Sequence, residues 1–141
     1  MKDNTQKVLI FTDLDGTLLD EKYELRDTEQ TVKRLLSLGV QMILCSSKTY
    51  SEIEHFRRRL SIRDPFISEN GAAIFIPKDY FKTAFDHSRE TKEYMVIVLG
   101  TDYAKLRREI EKVRRQSGSV IVGFGDMSAQ EVAEDCGLSL G

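Results

Sequence analysis

Cysteine is scarce. Cys45 and Cys136 are the only two in 141 residues, far apart and without metal-ligand spacing. That pattern argues against a disulfide framework and against a thiolate metal site, and a reducing, cytoplasmic location is expected. Cys45 lies in an apolar run and reads as an inert core thiol. Net charge is small as well, −2 at pH 7, with acids and bases interspersed. Such a balance gives no electrostatic case for nucleic acid or an anionic membrane as a partner. The clusters Arg57-Arg58-Arg59 and Arg107-Arg108 fall in helix-like stretches and read as solvated helix faces. Long apolar runs are missing too. The first is only Val8 to Phe11, so neither a secretory signal nor a membrane-spanning helix is expected. Internal repeats and low-complexity tracts are also absent.

What is present is an alternation of apolar strands and amphipathic helices. Residues 7–12 predict a first strand. Asp27 or Thr28 can cap a helix running to Leu38 and ended by Gly39, with Val32, Leu35, Leu36 and Leu38 on its apolar face. Val40 to Cys45 predict a second buried strand. Ser51, with Glu54 three residues on, has capping-box spacing for the next helix, which should end near Leu60. Phe66-Ile67 predict a short third strand and Ser68-Glu69-Asn70-Gly71 a turn. Ala72 to Ile76 predict another short strand, stopped by Pro77. Strand, helix, strand, helix, strand implies a parallel sheet with crossover helices. Lys78 to Glu93 are polar and irregular, which suits a boundary. Beyond them the pattern predicts a strand at Tyr94–Leu99, a charged helix from Asp102 to Gln116 and a strand at Val120–Val122. A last helix then runs from Ser128, with Glu131 at capping-box spacing, to Cys136.

The chemistry concentrates at Val8-Leu9-Ile10-Phe11-Thr12-Asp13-Leu14-Asp15-Gly16-Thr17. A buried strand should not end on two carboxylates unless something neutralises them. A divalent cation and a phosphoryl group would do so, at the strand ends where open α/β sheets bind ligands. Alternation puts Asp13 and Asp15 on one side of the chain. The bland alternative is an Asx-type turn with both acids solvated. One carboxylate can attack phosphorus, and the other can protonate the leaving oxygen and then deprotonate water. Both are anionic, so Mg²⁺ is expected to screen them from an anionic substrate. The second strand ends in Ser46-Ser47-Lys48, whose hydroxyls, backbone N–H groups and ammonium suit phosphoryl oxygens. Taken singly, the serines could equally be capping residues, Lys48 an ordinary surface lysine and Asn70 a turn residue beside Gly71.

These segments together resemble the haloacid dehalogenase-like phosphatases. Asp13-Leu14-Asp15-Gly16-Thr17 matches that family's first motif, and Ser46 stands where its second motif has a phosphate-binding Ser or Thr. The resemblance implies Asp13 as nucleophile, Asp15 as general acid/base, and the Asp13 carboxylate and Asp15 carbonyl as Mg²⁺ ligands. It implies a phosphate contact from Ser46, beside which Ser47, Lys48 and Asn70, at the ends of the second and third strands, are further candidates for phosphate or substrate contacts. The implied fold is α/β, a three-layer Rossmann-like parallel sheet carrying an inserted, incomplete α+β cap. Residues 1–85 would belong to the core and 86–141 to the cap. Glu69-Asn70-Gly71-Ala72-Ala73-Ile74 resembles the subgroup whose cap is inserted after the third sheet strand. Cys45-Ser46-Ser47-Lys48-Thr49, the run from Phe66 to Pro77 and Gly123-Phe124-Gly125-Asp126-Met127-Ser128 together resemble members that act on a phosphorylated sugar acid.

The family's third-motif lysine and fourth-motif acids normally follow the cap, and the chain stops at Gly141. By that reading it is the N-terminal half of the enzyme, weak or inactive alone, with an exposed sheet edge suited to self-association. A compact capless phosphatase could instead use Lys105 and Asp126, although Gln130 stands where a further acid is wanted. Asp126 in a cap loop is the preferred reading. The competing class is a non-catalytic phosphate-binding or interaction domain.

Overall fold

A computed structural model describes residues 8–135. The expected start of the first strand at Lys7 and end of the last helix at Cys136 lie outside the described residues. The chain divides into two compact units between Gly100 and Thr101.

The first unit is built on one open sheet. Strands β1 (Leu9–Thr12), β2 (Gln41–Cys45) and β3 (Phe66–Ser68) run parallel, with Leu9 opposite Gln41 and Leu44 opposite Phe66. Helices α1 (Thr28–Ser37) and α2 (Tyr50–Leu60) are the crossovers between them. Strands β4 (Ala73–Pro77), β5 (Arg89–Glu90) and β6 (Tyr94–Val98) complete the order β1-β2-β3-β4-β6-β5. The expected parallel sheet is therefore parallel only through β3 and mixed beyond it, since β4 pairs antiparallel with β3 and with β6. Chain length explains the switch. A parallel connection needs a dozen or more residues, and only the turn around Glu69–Gly71 separates β3 from β4.

The core lies between the sheet and the two helices. Val32 of α1 and Ile53 and Leu60 of α2 meet Met42, Leu44, Phe66, Phe75 and Val96 of the strands in one buried cluster. Each such side chain contributes about 1.5–3 kcal/mol by leaving water. Strand β1 forms one sheet edge, where Leu9 and Phe11 remain 47% and 59% exposed.

Two helix starts differ in detail from expectation. Asp27 occupies the N-cap of α1 without a capping hydrogen bond, while the Thr28 hydroxyl donates to the Leu18 carbonyl at 2.7 Å. Helix α2 is capped by Thr49 and Glu52, not by Ser51 and Glu54. The Thr49 N–H and hydroxyl donate to Glu52 Oε2 at 2.9 and 2.7 Å. Both residue pairs have the same spacing. Glu54 is taken by a buried ion pair with Arg57, which also corrects the reading of that arginine as solvated.

Close packing holds the end of β6 to the turn after β3. The Leu99 and Gly100 N–H groups both donate to the Ala72 carbonyl at 2.8 Å. A Cβ at Gly100 would lie 2.7 Å from the Ala72 Cβ. Gly100→Ala is expected to destabilise the chain by about 1–3 kcal/mol through overpacking. Urea unfolding measures this, and an unchanged midpoint would show that the turn yields freely.

The second unit holds α3 (Tyr103–Ser117), capped by Asp102, whose carboxylate accepts the Ala104 N–H at 2.9 Å. Helix α4 (Ala129–Asp135) follows the expected Ser128–Glu131 capping box, with Ser128 N–H donating to Glu131 Oε2 at 2.7 Å. The strand expected at Val120–Val122 is not formed. A β-type run needs a neighbour to complete its ladder, and none pairs with it among the described residues. Val120 is 93% exposed. No helix among the described residues is long and apolar enough to cross a membrane.

Candidate active site

Three parallel strands deliver three carboxyl ends to one edge of the sheet. The residues just beyond those ends make the site. After β1 the chain alternates once more. Leu14 is fully buried in the core, so Asp13 and Asp15 on either side of it turn away from that core. The Leu14 carbonyl accepts N–H groups from Thr17, Leu18 and Leu19 at 3.3, 3.0 and 2.8 Å, fixing the turn that follows. Gly16 sits in that turn with φ +66°, a conformation open to glycine at little cost.

The second and third strand ends are tied together by their backbones. Ser46 N–H donates to the Ile67 carbonyl, Asn70 N–H to the Ser46 carbonyl and Glu69 N–H to the Lys48 carbonyl, each at 3.1 Å. The Lys48 N–H donates to Ser46 Oγ at 3.3 Å. Glu69, Asn70 and Gly71 have φ of +50°, +56° and +93° in succession. Such left-handed residues are disfavoured for side chains other than glycine and tend to cluster at functional sites.

Asp13, Ser46, Ser47 and Asn70 together line one cleft of about 260 Å³, with Cys45, Ile67 and Gly71 completing its wall. Asp13 is exposed to it. Its Oδ1 accepts the Leu14 N–H at 2.6 Å, and Oδ2 receives no hydrogen bond among the described residues. Cys45 faces this cleft rather than the core. Burial first, and then the nearby Asp13 carboxylate, push its thiol above the ordinary range.

Asp15 and Lys48 stand beside this cleft as a pair. Lys48 Nζ lies 2.9 Å from Asp15 Oδ1. The angles do not make a hydrogen bond, so this buried carboxylate oxygen has a counter-charge but no aligned donor. Neither Asp15 nor Lys48 lines that cleft. The Lys48 ammonium also lies 3.9 Å from Glu52 Oε1 and 4.7 Å from the centre of the Tyr23 ring. Neither Tyr23 nor Glu52 is predicted as part of the site. Glu52 had a signal in the Thr49–Glu52 capping spacing. Tyr23 had only its type, an aromatic in a polar loop.

A Mg²⁺ ion fits the donor chemistry here. The free oxygen of Asp13 and the backbone carbonyl of Asp15 are hard oxygen donors, and such ions bind through one or two carboxylates with waters and phosphate oxygens completing the shell. No group of three or more His, Cys, Asp or Glu stands together among the described residues.

In the second unit, Asp126 is fully engaged by its own neighbours. Arg107 Nη2 donates to Asp126 Oδ1 at 2.6 Å, Arg114 Nη2 donates to Oδ2, and the Gly123 N–H donates to Oδ2 at 3.0 Å. The two guanidiniums hold its carboxyl well below the usual carboxylate range. Gly125 permits the approach, since a Cβ there would lie 2.4 Å from the Tyr103 hydroxyl. A depressed folded value means the turn's ionic support is complete above the ordinary Asp range and fades only as pH falls through the folded value. Asp126→Asn is expected to speed amide hydrogen exchange across Gly123–Met127 at pH 7 and to leave Mg²⁺ affinity unchanged. Lost Mg²⁺ affinity would revive the reading in which Lys105 and Asp126 complete the catalytic site.

The chain can now be set beside known proteins. Residues 10–110 match the family profile described as haloacid dehalogenase-like hydrolase. A glucosyl-3-phosphoglycerate/mannosyl-3-phosphoglycerate phosphatase of Methanococcoides burtonii is 42% identical over 135 residues, 95% of this chain and 50% of that protein. A mannosyl-3-phosphoglycerate phosphatase of Pyrococcus horikoshii is 39% identical over 131 residues, 92% of this chain and 52% of that one. The chain thus spans about half the length of the curated relatives it matches. Among solved structures, a Bacteroides thetaiotaomicron protein from a study of phosphatases of the haloalkanoate superfamily shares the fold. Its TM-score is 0.60 at 14% identity, covering 98% of this chain and 49% of that one. The match to the profile runs from β1, which leads into Asp13 and Asp15, to α3, through every residue of the cleft, and the chain belongs to the haloacid dehalogenase-like hydrolase family.

Proposed function

We propose that the protein containing this chain is a Mg²⁺-dependent phosphomonoester hydrolase working through an aspartyl phosphate. The observation that carries this is the exposed Asp13 carboxylate facing Ser46, Ser47 and Asn70 across one small cleft. Asp13 attacks phosphorus, forming its own acyl–phosphate bond as the bond from phosphorus to the leaving oxygen breaks. Asp15 gives a proton to that oxygen, then takes one from the water that hydrolyses the phosphorylated Asp13. The Ser46 and Ser47 hydroxyls, with backbone N–H groups of their loop, hold the phosphoryl oxygens. Mg²⁺, held by the Asp13 carboxylate and the Asp15 carbonyl, would screen the anionic nucleophile from the anionic substrate.

The proposed substrate is a sugar linked to 3-phosphoglycerate, with mannosyl-3-phosphoglycerate first. Its support is the likeness to phosphatases of that name at 42% and 39% identity. We further propose a core and a cap, with the boundary expected at residue 85 moved to Gly100, since β5 and β6 belong to the first unit's sheet. The test is Mg²⁺-dependent phosphate release from glucosyl- and mannosyl-3-phosphoglycerate against a panel of other phosphomonoesters. It should be run on this chain and on a protein of the relatives' length. Preference for the two sugar phosphoglycerates supports the assignment, and equal turnover of the panel removes it.

A further inference from the structure

Tyr23 is an aromatic side chain at the site that the reaction above does not use. Its turn is built around Asp20. The Asp20 carboxylate accepts the N–H groups of Lys22 and Glu24 at 2.8 and 3.0 Å and pairs with Arg26 at 2.5 Å. The Tyr23 N–H donates to the Asp20 carbonyl at 2.9 Å. Tyr23 itself has φ +58°, a left-handed backbone that a bulky side chain rarely adopts, and the residue is 61% exposed. Burial of the ring therefore does not account for its position.

One contact does account for it. The ring face meets the Lys48 ammonium, 4.7 Å from centroid to Nζ. That ammonium has two carboxylates within reach, Asp15 at 2.9 Å and Glu52 at 3.9 Å. Asp15 offers no aligned hydrogen bond, so geometry alone does not decide between them. Glu52 lies four residues along from Lys48, at a spacing where side chains on a helical turn meet readily. Lys48 is nonetheless only 12% exposed and sits on Asp15. The ring supplies the missing wall, since the face of an aromatic ring attracts a cation and excludes water from it.

We propose that Tyr23 is a positioning residue: its ring, presented by the Asp20 turn, closes the open side of the Lys48 ammonium and keeps that charge on Asp15 instead of Glu52. The proposal rests on the reading of Asp15 as the general acid and base. In that role a fixed counter-ion orients the carboxylate that must meet the leaving oxygen. Tyr23 does not line the cleft that would receive the phosphoryl group. Its loss should therefore act on turnover and not on substrate affinity.

The direct test needs no turnover. A brief pulse of an acetylating reagent is followed by mass spectrometry of the Lys48 peptide, with exposed Lys33 and Lys82 as internal references. Relative to these, Lys48 acetylation should rise about two- to fivefold in Tyr23→Leu, the range that a cation–π contact at an exposed site corresponds to. In Tyr23→Phe it should stay at the wild-type level, because the ring face and not the hydroxyl makes the contact. In a protein of the relatives' length, kcat should fall by a similar factor in Tyr23→Leu with KM unchanged. Glu52→Gln placed in the Tyr23→Leu background should recover part of that loss by removing the competing carboxylate. Unchanged Lys48 acetylation in a folded Tyr23→Leu variant would overturn the proposal, as would a Tyr23→Phe variant as reactive as Tyr23→Leu. Failure of the hydrolase reading would appear instead as retained turnover in Asp13→Asn, while the acetylation result would stand.

Discussion

Asp13→Asn is expected to abolish phosphate release by a protein of the relatives' length, lowering kcat by more than about 10⁴-fold; loss of a nucleophile can cost about 10⁶. The amide has almost the same shape and retains a carbonyl oxygen for the Leu14 N–H, the contact that Asp13 Oδ1 makes at 2.6 Å. Asp13 is exposed and takes no part in the core. Its replacement should therefore leave the unfolding midpoint within the small range usual for surface changes, about 0.5 kcal/mol. Activity and stability separate cleanly at this position. Asp15→Asn should cost about 10²–10⁴ in kcat, the usual worth of a positioned acid or base. Stopped assays with a phosphate detector, paired with circular dichroism, measure both variants. Near-normal turnover in Asp13→Asn would remove the nucleophile from the account.

Arg57→Ala is expected to be the most destabilising substitution in the first unit, at about 3–5 kcal/mol, because it takes a buried guanidinium away from a buried carboxylate. Arg57 is 4% exposed and Glu54 9%. The Arg57 Nη1 donates to Glu54 Oε2 at 2.7 Å and to the Tyr94 hydroxyl at 2.6 Å, and Nη2 donates to the Asp64 carbonyl at 2.7 Å. The Tyr94 hydroxyl in turn donates to Glu54 Oε2 at 2.7 Å, and Arg58 Nε donates to Oε1 at 2.9 Å. The guanidinium lies 4.7 Å from the centre of the Phe66 ring, which stacks on Phe75 with an interplanar angle of 5°. One side chain thus joins α2 to the loop before β3 and to β6.

The pH dependence gives this prediction a second arm. Burial raises the Glu54 carboxyl, but its bonds from Tyr94, Arg58 and Arg57 outweigh burial and hold it below the usual range. Ionised Glu54 therefore stabilises the wild-type fold fully above the unfolded Glu value, and that contribution is lost as pH falls through the folded value. With Arg57 gone, one of the bonds that outweigh burial is lost, and the folded-state carboxyl rises from its wild-type position. The variant then gains relative stability as Glu54 takes up a proton. The stability gap between wild type and Arg57→Ala should narrow from pH 7 toward pH 4. A constant gap across that range would show that lost packing, not an uncompensated carboxylate, sets the cost.

The parts of this molecule that were legible in its sequence are those where local pattern and tertiary environment agree. The apolar runs ending at Thr12, Cys45 and Ser68 read as strands, although β1 proves to be a partly exposed edge and not a buried strand, and their helical connections favoured parallel pairing, which set three strand ends side by side. Asp13, Ser46, Ser47 and Asn70 follow those ends, so their convergence in one cleft was legible too. Four features were not. Thr49–Glu52 and Ser51–Glu54 present the same capping spacing, and only the buried position of Arg57 decides which glutamate is free to cap. Arg57 itself reads as one of three surface arginines until Tyr94, which lies 37 positions away, is placed beside it. Val120–Val122 has strand-forming residues, yet no neighbour completes a ladder with it among the described residues. Tyr23 is the fourth case, since a ring over an ammonium leaves no periodicity to read.

The central claim is that Asp13 carries the phosphoryl group during turnover. Rapid acid quench of a protein of the relatives' length, incubated with Mg²⁺ and mannosyl-3-phosphoglycerate, preserves an acyl phosphate for peptide mass spectrometry. The account predicts one phosphoryl group on the peptide containing Asp13, absent without Mg²⁺, absent in Asp13→Asn, and longer-lived in Asp15→Asn because the water then lacks its base. Steady turnover with no phosphorylated Asp13 at any quench time, or with the phosphoryl group on another residue, would contradict it.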